Sequence, residues 1–136
     1  MQEVTAVIQQ QMSVFPNLAV VGDFNIAPED RDVHDPAEWI GSVLVSPAER
    51  EAFTQLLYLG LHDSFRSFIQ DEQVFSWWDY RAAAFRRNRG LRIDHVLLST
   101  PLNALCKQSV IDKEPRKAER PSDHAPVWVE LDLHVS

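Results

Sequence analysis

Gly90-Leu91-Arg92-Ile93-Asp94-His95-Val96-Leu97-Leu98-Ser99 is the stretch whose reading decides the fold. It is apolar enough for a strand covered on both faces, yet it carries a carboxylate at Asp94. Burying a charge is costly unless it is paired or coordinates a metal. The same situation recurs twice. Leu18-Ala19-Val20-Val21 runs into Gly22-Asp23-Phe24-Asn25, and Ser122-Asp123-His124 precedes Ala125-Pro126-Val127-Trp128-Val129. Three carboxylates at the edges of apparent buried strands predict one polar site at the rim of a sheet.

The neighbouring segments fill in the architecture. Residues 2–14 place Val4, Val7, Ile8 and Met12 at rough helical spacing, and Pro16-Asn17 ends that helix. Residues 18–21 read as a fully buried strand. Residues 22–41 read as a loop, with turn chemistry at Ala27-Pro28-Glu29-Asp30 and Asp35-Pro36. Ser46-Pro47-Ala48-Glu49 is a strong helix start: an N-cap Ser, Pro in the first position and Glu in the third. That helix puts Phe53, Leu56 and Leu57 on one face and stops near Gly60. Further strands are expected at 74–80, 91–99, 104–111 and 125–133. Strands mixed with two helices make this an α/β chain.

The 136 residues suit one domain, 45% hydrophobic and 24% charged, as in a soluble globular protein. No apolar run approaches the ~20 residues of a membrane helix. Met1-Gln2-Glu3-Val4 lacks the basic and apolar regions of a secretory signal. A single cysteine, Cys106, forms no internal disulfide and reads as a small buried hydrophobe. These features predict a reducing, cytoplasmic location. The formal net charge is −7, but ten of the 13 Lys and Arg residues fall between 81 and 120. Such a block suits a phosphate-binding surface, since Lys and Arg displace counterions from a nucleic-acid backbone. A solvated basic loop is the plainer reading of charge alone.

GDFN at 22–25, GLRIDHVLLS at 90–99 and ERPSDHAPV at 119–127 stand in one order, with FSWWDYR at 75–81 and RRNRG at 86–90 between them. Together they resemble the second half of the exodeoxyribonuclease III and abasic-site endonuclease family, within the endonuclease-exonuclease-phosphatase superfamily. The likeness runs through nearly the whole chain. It implies half of a four-layer α/β sandwich of the deoxyribonuclease I kind: mainly one mixed β-sheet with flanking helices. Residues 1–136 would be the C-terminal half of that domain. The family's first half, with a metal-binding Glu, an Asn and a catalytic Tyr region, has no counterpart here. Its absence should leave a large apolar surface exposed.

Asp23 and Asn25 lie two apart just past a strand end, so they point to the same side. One can take a proton from water and the other can donate a hydrogen bond to a phosphate oxygen. An Asx-turn closing the strand is the plainer alternative. The resemblance implies that Asp23 activates the attacking water and Asn25 orients it. A carboxylate within a strand, as at Asp94, needs a partner, and the resemblance makes that partner His124. Asp94 would favour the protonated imidazole, and His124 would stabilise charge on the scissile phosphate. A structural Asp–His hydrogen bond stays open as the alternative. His95 should face the other side of its strand. The resemblance also puts Asp123 in a metal shell with Asp23, Asn25 and His124. The oxygen-rich set of Asp23, Asn25, Asp94 and Asp123 suits Mg2+ or Mn2+ and not zinc. None of Glu29, Glu38 or Glu49 matches the family's principal metal ligand.

Trp77 and Trp78 are neighbours on an expected strand, so one should face the core and the other the site. Paired tryptophans often serve packing alone. By resemblance, Trp77 and Leu91 would wall a pocket for a flipped, base-free sugar. Arg81, Arg86, Arg87, Arg89 and Arg92 would grip backbone phosphates. His34, His62 and His134 read as ordinary surface. The implied activity is metal-dependent DNA phosphodiester hydrolysis in base-excision repair, both 3′–5′ exonuclease and abasic-site endonuclease. The implied partners are double-stranded and abasic-site DNA, and a second copy or a complementing N-terminal half. Two alternatives remain: a fragment that only binds DNA or a partner chain, and a superfamily phosphodiesterase with another substrate.

Overall fold

The computed structural model describes residues 2–81, 83–118 and 121–133. Glu119, Arg120 and His134, which the sequence reading used, lie outside them. Helix α1 spans Gln2–Val14 and helix α2 spans Pro47–Tyr58. The α2 start is as the sequence predicts: Ser46 Oγ accepts the Glu49 amide at 3.1 Å. Ile8, Phe53, Leu56, Leu61 and Leu97 pack with Ile26 into the core beneath these two helices. No helix among the described residues is long and apolar enough to cross a membrane.

The α/β class holds, and the described strands pair antiparallel in three sheets. In the first, β1 (Ala19–Asp23) and β2 (Leu61–Asp63) flank β5 (Asp94–Ser99). The second joins β3 (Trp77–Trp78) to β4 (Gly90–Leu91). The third joins β6 (Cys106–Ile111) to β7 (Val127–Leu131), which lies against β5. A short helix α3, Thr100–Ala104, links β5 to β6. The expected strand over 91–99 breaks at Arg92-Ile93, whose amides leave the ladder for Asp32 O and Ser76 Oγ. The expected strand over 74–80 shrinks to two residues, where the Ser76 carbonyl accepts the Ala125 amide and the Trp78 amide donates to the Asp123 carbonyl, both in the turn before β7. Gly90 is required where it stands. A Cβ there would lie 2.5 Å from the Trp77 carbonyl.

Two burial expectations are corrected. Strand β1 is not fully buried: it is an edge strand, and Val21 is 63% exposed. Cys106 is half-buried rather than enclosed, with its thiol donating to the Gln108 carbonyl. Val4, Val7, Val14, Phe15, Val21 and Trp128 are among the large apolar side chains left exposed.

Candidate active site

The register of β1 against β5 pairs Asp23 directly with Asp94. Two carboxylates side by side need a cation or a proton between them. His124 meets that need. It reaches the pair from the turn before β7, which bridges to Trp77 of β3. His124 Nδ1 donates to Asp94 Oδ2 at 2.8 Å, and its Nε2 faces Asp23 Oδ2 at 3.6 Å and Asp123 Oδ1 at 3.8 Å. Burial works against charge on the imidazole, but Asp94, then Asp23 and Asp123, outweigh it and raise its pKa. Burial raises the pKa of Asp94 despite its bonds to His124 and Ser76.

The loop after β1 sets the other wall. Gly22 adopts φ +143°, a conformation that L side chains rarely take, and so delivers Asp23 at the strand end. Asp23 Oδ1 accepts the Asn25 amide at 2.9 Å, the Asx-turn considered from sequence. That turn leaves the second oxygen, Oδ2, to face His124. Asn25 sits at φ +52°, a conformation Asn tolerates, and is exposed beside Asp23. The site opens into a cleft of about 360 Å³ lined by Gly22, Asp23, Asp94, Pro115, Ser122, His124, Pro126 and Val127.

Asp23, Asp94 and His124 each offer a ligand atom within 4.8 Å of the others. Asp123 stands just outside that group: its Oδ2 accepts Trp77 Nε1 at 3.0 Å. Trp77 is thus the site-side tryptophan, and Trp78 is the core-side one, wholly buried against Phe85. Trp77 also packs edge-on to Trp39, 6.1 Å between ring centres.

Two expected DNA contacts are corrected. Leu91 is 0% exposed, packed with Ala27, Val33 and Ile93, so it backs Trp77 from below and walls no open pocket. Arg92 is 1% exposed and grips no phosphate. Its Nε donates to Asp32 at 2.7 Å, and its Nη1 and Nη2 donate to Asp63 at 3.1 and 2.6 Å. Burial opposes this charge, but Asp63 and Asp32 outweigh it and raise the pKa. Asp32 is also paired with Arg66. The other arginines differ. Arg86 and Arg87 are exposed, Arg81 pairs with Asp79 at 2.8 Å, and Arg89 pairs with Glu38 at 2.7 Å. Arg81 holds the Asp79 pKa down at about 2, and Arg89 with His34 lowers that of Glu38. His34 and His62 are both half-buried: His34 bonds Gly90 O and Glu38, and His62 bonds Thr100 Oγ1.

Ser76 escaped the sequence reading, and His95, which that reading placed on the other side of its strand, has a structural role. Ser76, buried, accepts the Ile93 and Asp94 amides at its Oγ, while its carbonyl accepts the Ala125 amide at 2.8 Å. It therefore ties the Asp94 strand to the His124 turn. His95 donates from Nε2 to the Ile26 carbonyl at 2.8 Å and accepts from Arg92 at Nδ1, holding the loop beyond Asn25. Burial and then the Arg92 charge depress the His95 pKa to about 4, so the ring is neutral. The serine in FSWW was visible, but nothing local marked its hydroxyl as turned inward.

The sequence matches the model of the Endonuclease/Exonuclease/phosphatase family over residues 13–124. The chain belongs to the endonuclease/exonuclease/phosphatase family. Within it the similarity is to the exodeoxyribonuclease III and abasic-site endonuclease branch. Exodeoxyribonuclease III of Haemophilus influenzae is 41% identical over 121 residues, covering 84% of this chain and 45% of that protein. A Neisseria 3′ phosphatase bound to a product DNA hairpin superposes with a TM-score of 0.92 at 44% identity, covering 95% of this chain and 50% of that one. An AP endonuclease from Archaeoglobus fulgidus superposes with a TM-score of 0.91 at 32% identity, covering 97% and 52%. The chain spans about half the length of these endonuclease/exonuclease/phosphatase relatives.

Proposed function

We propose that this chain carries the Asp–His half of a DNA-repair phosphodiesterase site, acting in the cytoplasm as a 3′–5′ exonuclease and abasic-site endonuclease when the complementary N-terminal half is present. The observation that carries this reading is His124 held between Asp94 and Asp23. Asp23 takes a proton from the attacking water as the oxygen–phosphorus bond forms. The scissile phosphorus–oxygen bond breaks on the opposite side. The imidazolium of His124, steadied by Asp94, donates to a non-bridging oxygen and offsets its growing charge. Asn25 orients the phosphate from the rim of the same loop.

A hard divalent cation suits the carboxylates in part. Asp23 and Asp123, with the amide oxygen of Asn25, would hold Mg2+ or Mn2+. His124 fits less well as a ligand, because its Nδ1 is already engaged by Asp94 at 2.8 Å. The cation would neutralise the phosphate and the leaving oxygen. Arg81, Arg86, Arg87 and Arg89 supply the phosphate-binding surface. The Arg81–Asp79 pair is exposed, and such pairs are weak enough to exchange for a phosphate. Trp77 offers the aromatic wall for a base-free sugar. The exposed apolar residues of α1 and β1 would be covered by the complementary half or by a second copy.

The test is cleavage of an abasic-site duplex in Mg2+. The isolated chain should cleave barely above background, and a relative's N-terminal half, fused or in trans, should restore activity. In that form Asp23→Asn should cost at least ~100-fold, and Arg87→Ala should mainly weaken binding and its salt dependence. Unchanged cleavage by Asp23→Asn would sink the assignment. Hydrolysis of a non-nucleic phosphodiester in preference to DNA would favour another substrate class.

A further inference from the structure

Arg116 is buried, and among the described residues no carboxylate partners it. It lies on the turn over Glu114–Lys117, six residues before Ser122. Its guanidinium carbon sits 4.7 Å from the Phe85 ring centre, 5.6 Å from Trp78 and 5.9 Å from Tyr80. Phe85 and Trp78 are themselves packed edge to face. A cation against such ring faces is attracted by their quadrupoles. From this aromatic layer Arg116 Nη1 donates to the Ser122 carbonyl at 2.8 Å.

Ser122 begins the turn that delivers Asp123 and His124. Its own Oγ accepts the His124 amide at 3.1 Å. The far side of the turn is tied by backbone bonds, Trp78 N to Asp123 O and Ala125 N to Ser76 O. The near side has Arg116, with the Tyr80 hydroxyl donating more loosely to the Pro121 carbonyl at 3.3 Å. We propose that Arg116 is a positioning residue for His124, clamping the Ser122 carbonyl to the Trp78–Phe85 layer and so fixing the turn from which His124 reaches Asp94. Arginine is suited to this because its planar fork can stack on a ring and still donate in its own plane. Lysine can do one or the other, and methionine does neither. The proposal's importance rests on the role given to His124 above, but its test needs no cleavage.

The measurement is nuclear magnetic resonance on the isotope-labelled 136-residue chain. His124 Nδ1–H, bonded to Asp94, should give a resolved downfield proton. In Arg116→Met that signal should broaden or vanish. Exchange of the His124 and Ala125 amides should quicken about tenfold or more, while Val96 and Leu97 of β5 keep their protection. Arg116→Lys should fall between the two proteins. An unchanged downfield proton and unchanged exchange in Arg116→Met would overturn the proposal. Equal loss of protection in β5 would overturn it too, making Arg116 a general packing residue. If the methionine variant does not fold, the lysine variant is judged by the same two signals. The unmodified protein adds a check: Arg116 should show separate, slowly exchanging Nη resonances, and averaging like that of exposed Arg87 would refute the clamp. Failure of Asp23-dependent cleavage would bear on the role of His124 in chemistry and leave the clamp standing.

Discussion

Replacing Arg92 with Met should damage stability and leave phosphate binding alone. The side chain is 1% exposed, and Asp32 beneath it is wholly buried. Four hydrogen bonds would be lost at once: one to Asp32, two to Asp63 and one to His95. Among the described residues Asp32 would keep Arg66 alone as a cationic partner. Breaking a buried ion pair from one side costs about 3–5 kcal/mol, because the remaining charge stays desolvated. In a domain of this size that is a loss of about 10–20 °C in Tm. Methionine keeps much of the apolar stem, so cavity formation adds little. Urea unfolding followed by tryptophan fluorescence would measure the loss, with Arg87→Ala expected within about 0.5 kcal/mol of the parent.

The same network predicts how the loss varies with pH. In the parent, burial raises the Asp32 pKa, but Arg92 and then Arg66 outweigh it, and the net shift is downward. A depressed folded pKa contributes stability above the ordinary carboxylate pKa of about 4, and that contribution is lost as pH falls through the lower value. In Arg92→Met, the buried carboxylate is undercompensated and its pKa rises. The gap between the two proteins should therefore narrow in acid. A loss below about 1 kcal/mol at neutral pH, or a gap that widens in acid, would refute the network as described.

Asp94→Asn should return His124 towards its ordinary pKa, since the neutral amide withdraws the largest upward influence on it; a proton titration of the imidazole checks this. His95 should give the parent an acid-sensitive window. Its folded pKa of about 4 lies below the 6.5 of an ordinary histidine, so its contribution is full above about 6.5 and is lost as pH falls towards 4. His95→Gln, which retains an amide donor for the Ile26 carbonyl, should flatten denaturant stability across that window.

The sequence alone determined what depends on a few adjacent residues. The α2 cap is Ser46, Pro47 and Glu49 acting on one turn, and it formed as read. The alternation of Trp77 and Trp78 follows from strand geometry, and one did turn inward and one towards the site. The chain also announced its three carboxylate clusters and the need to neutralise them, and the family motifs named His124 as the partner of Asp94. The tertiary structure decided whatever depends on distant partners. Arg92 and Arg87 look alike in a basic block. Arg92 is buried because Asp32, 60 residues away, and Asp63, 29 away, meet it, whereas Arg87 stays exposed. Strand β1 reads as a core strand from its apolar run, but its position at the sheet edge leaves Val21 in the open. Ser76 became a tie between two site strands only because the backbone turned its hydroxyl inward to the Ile93 and Asp94 amides. Local chemistry sets a turn or a cap at short range. The burial of a charge is a balance of desolvation against partners, and that balance exists only once the chain has folded.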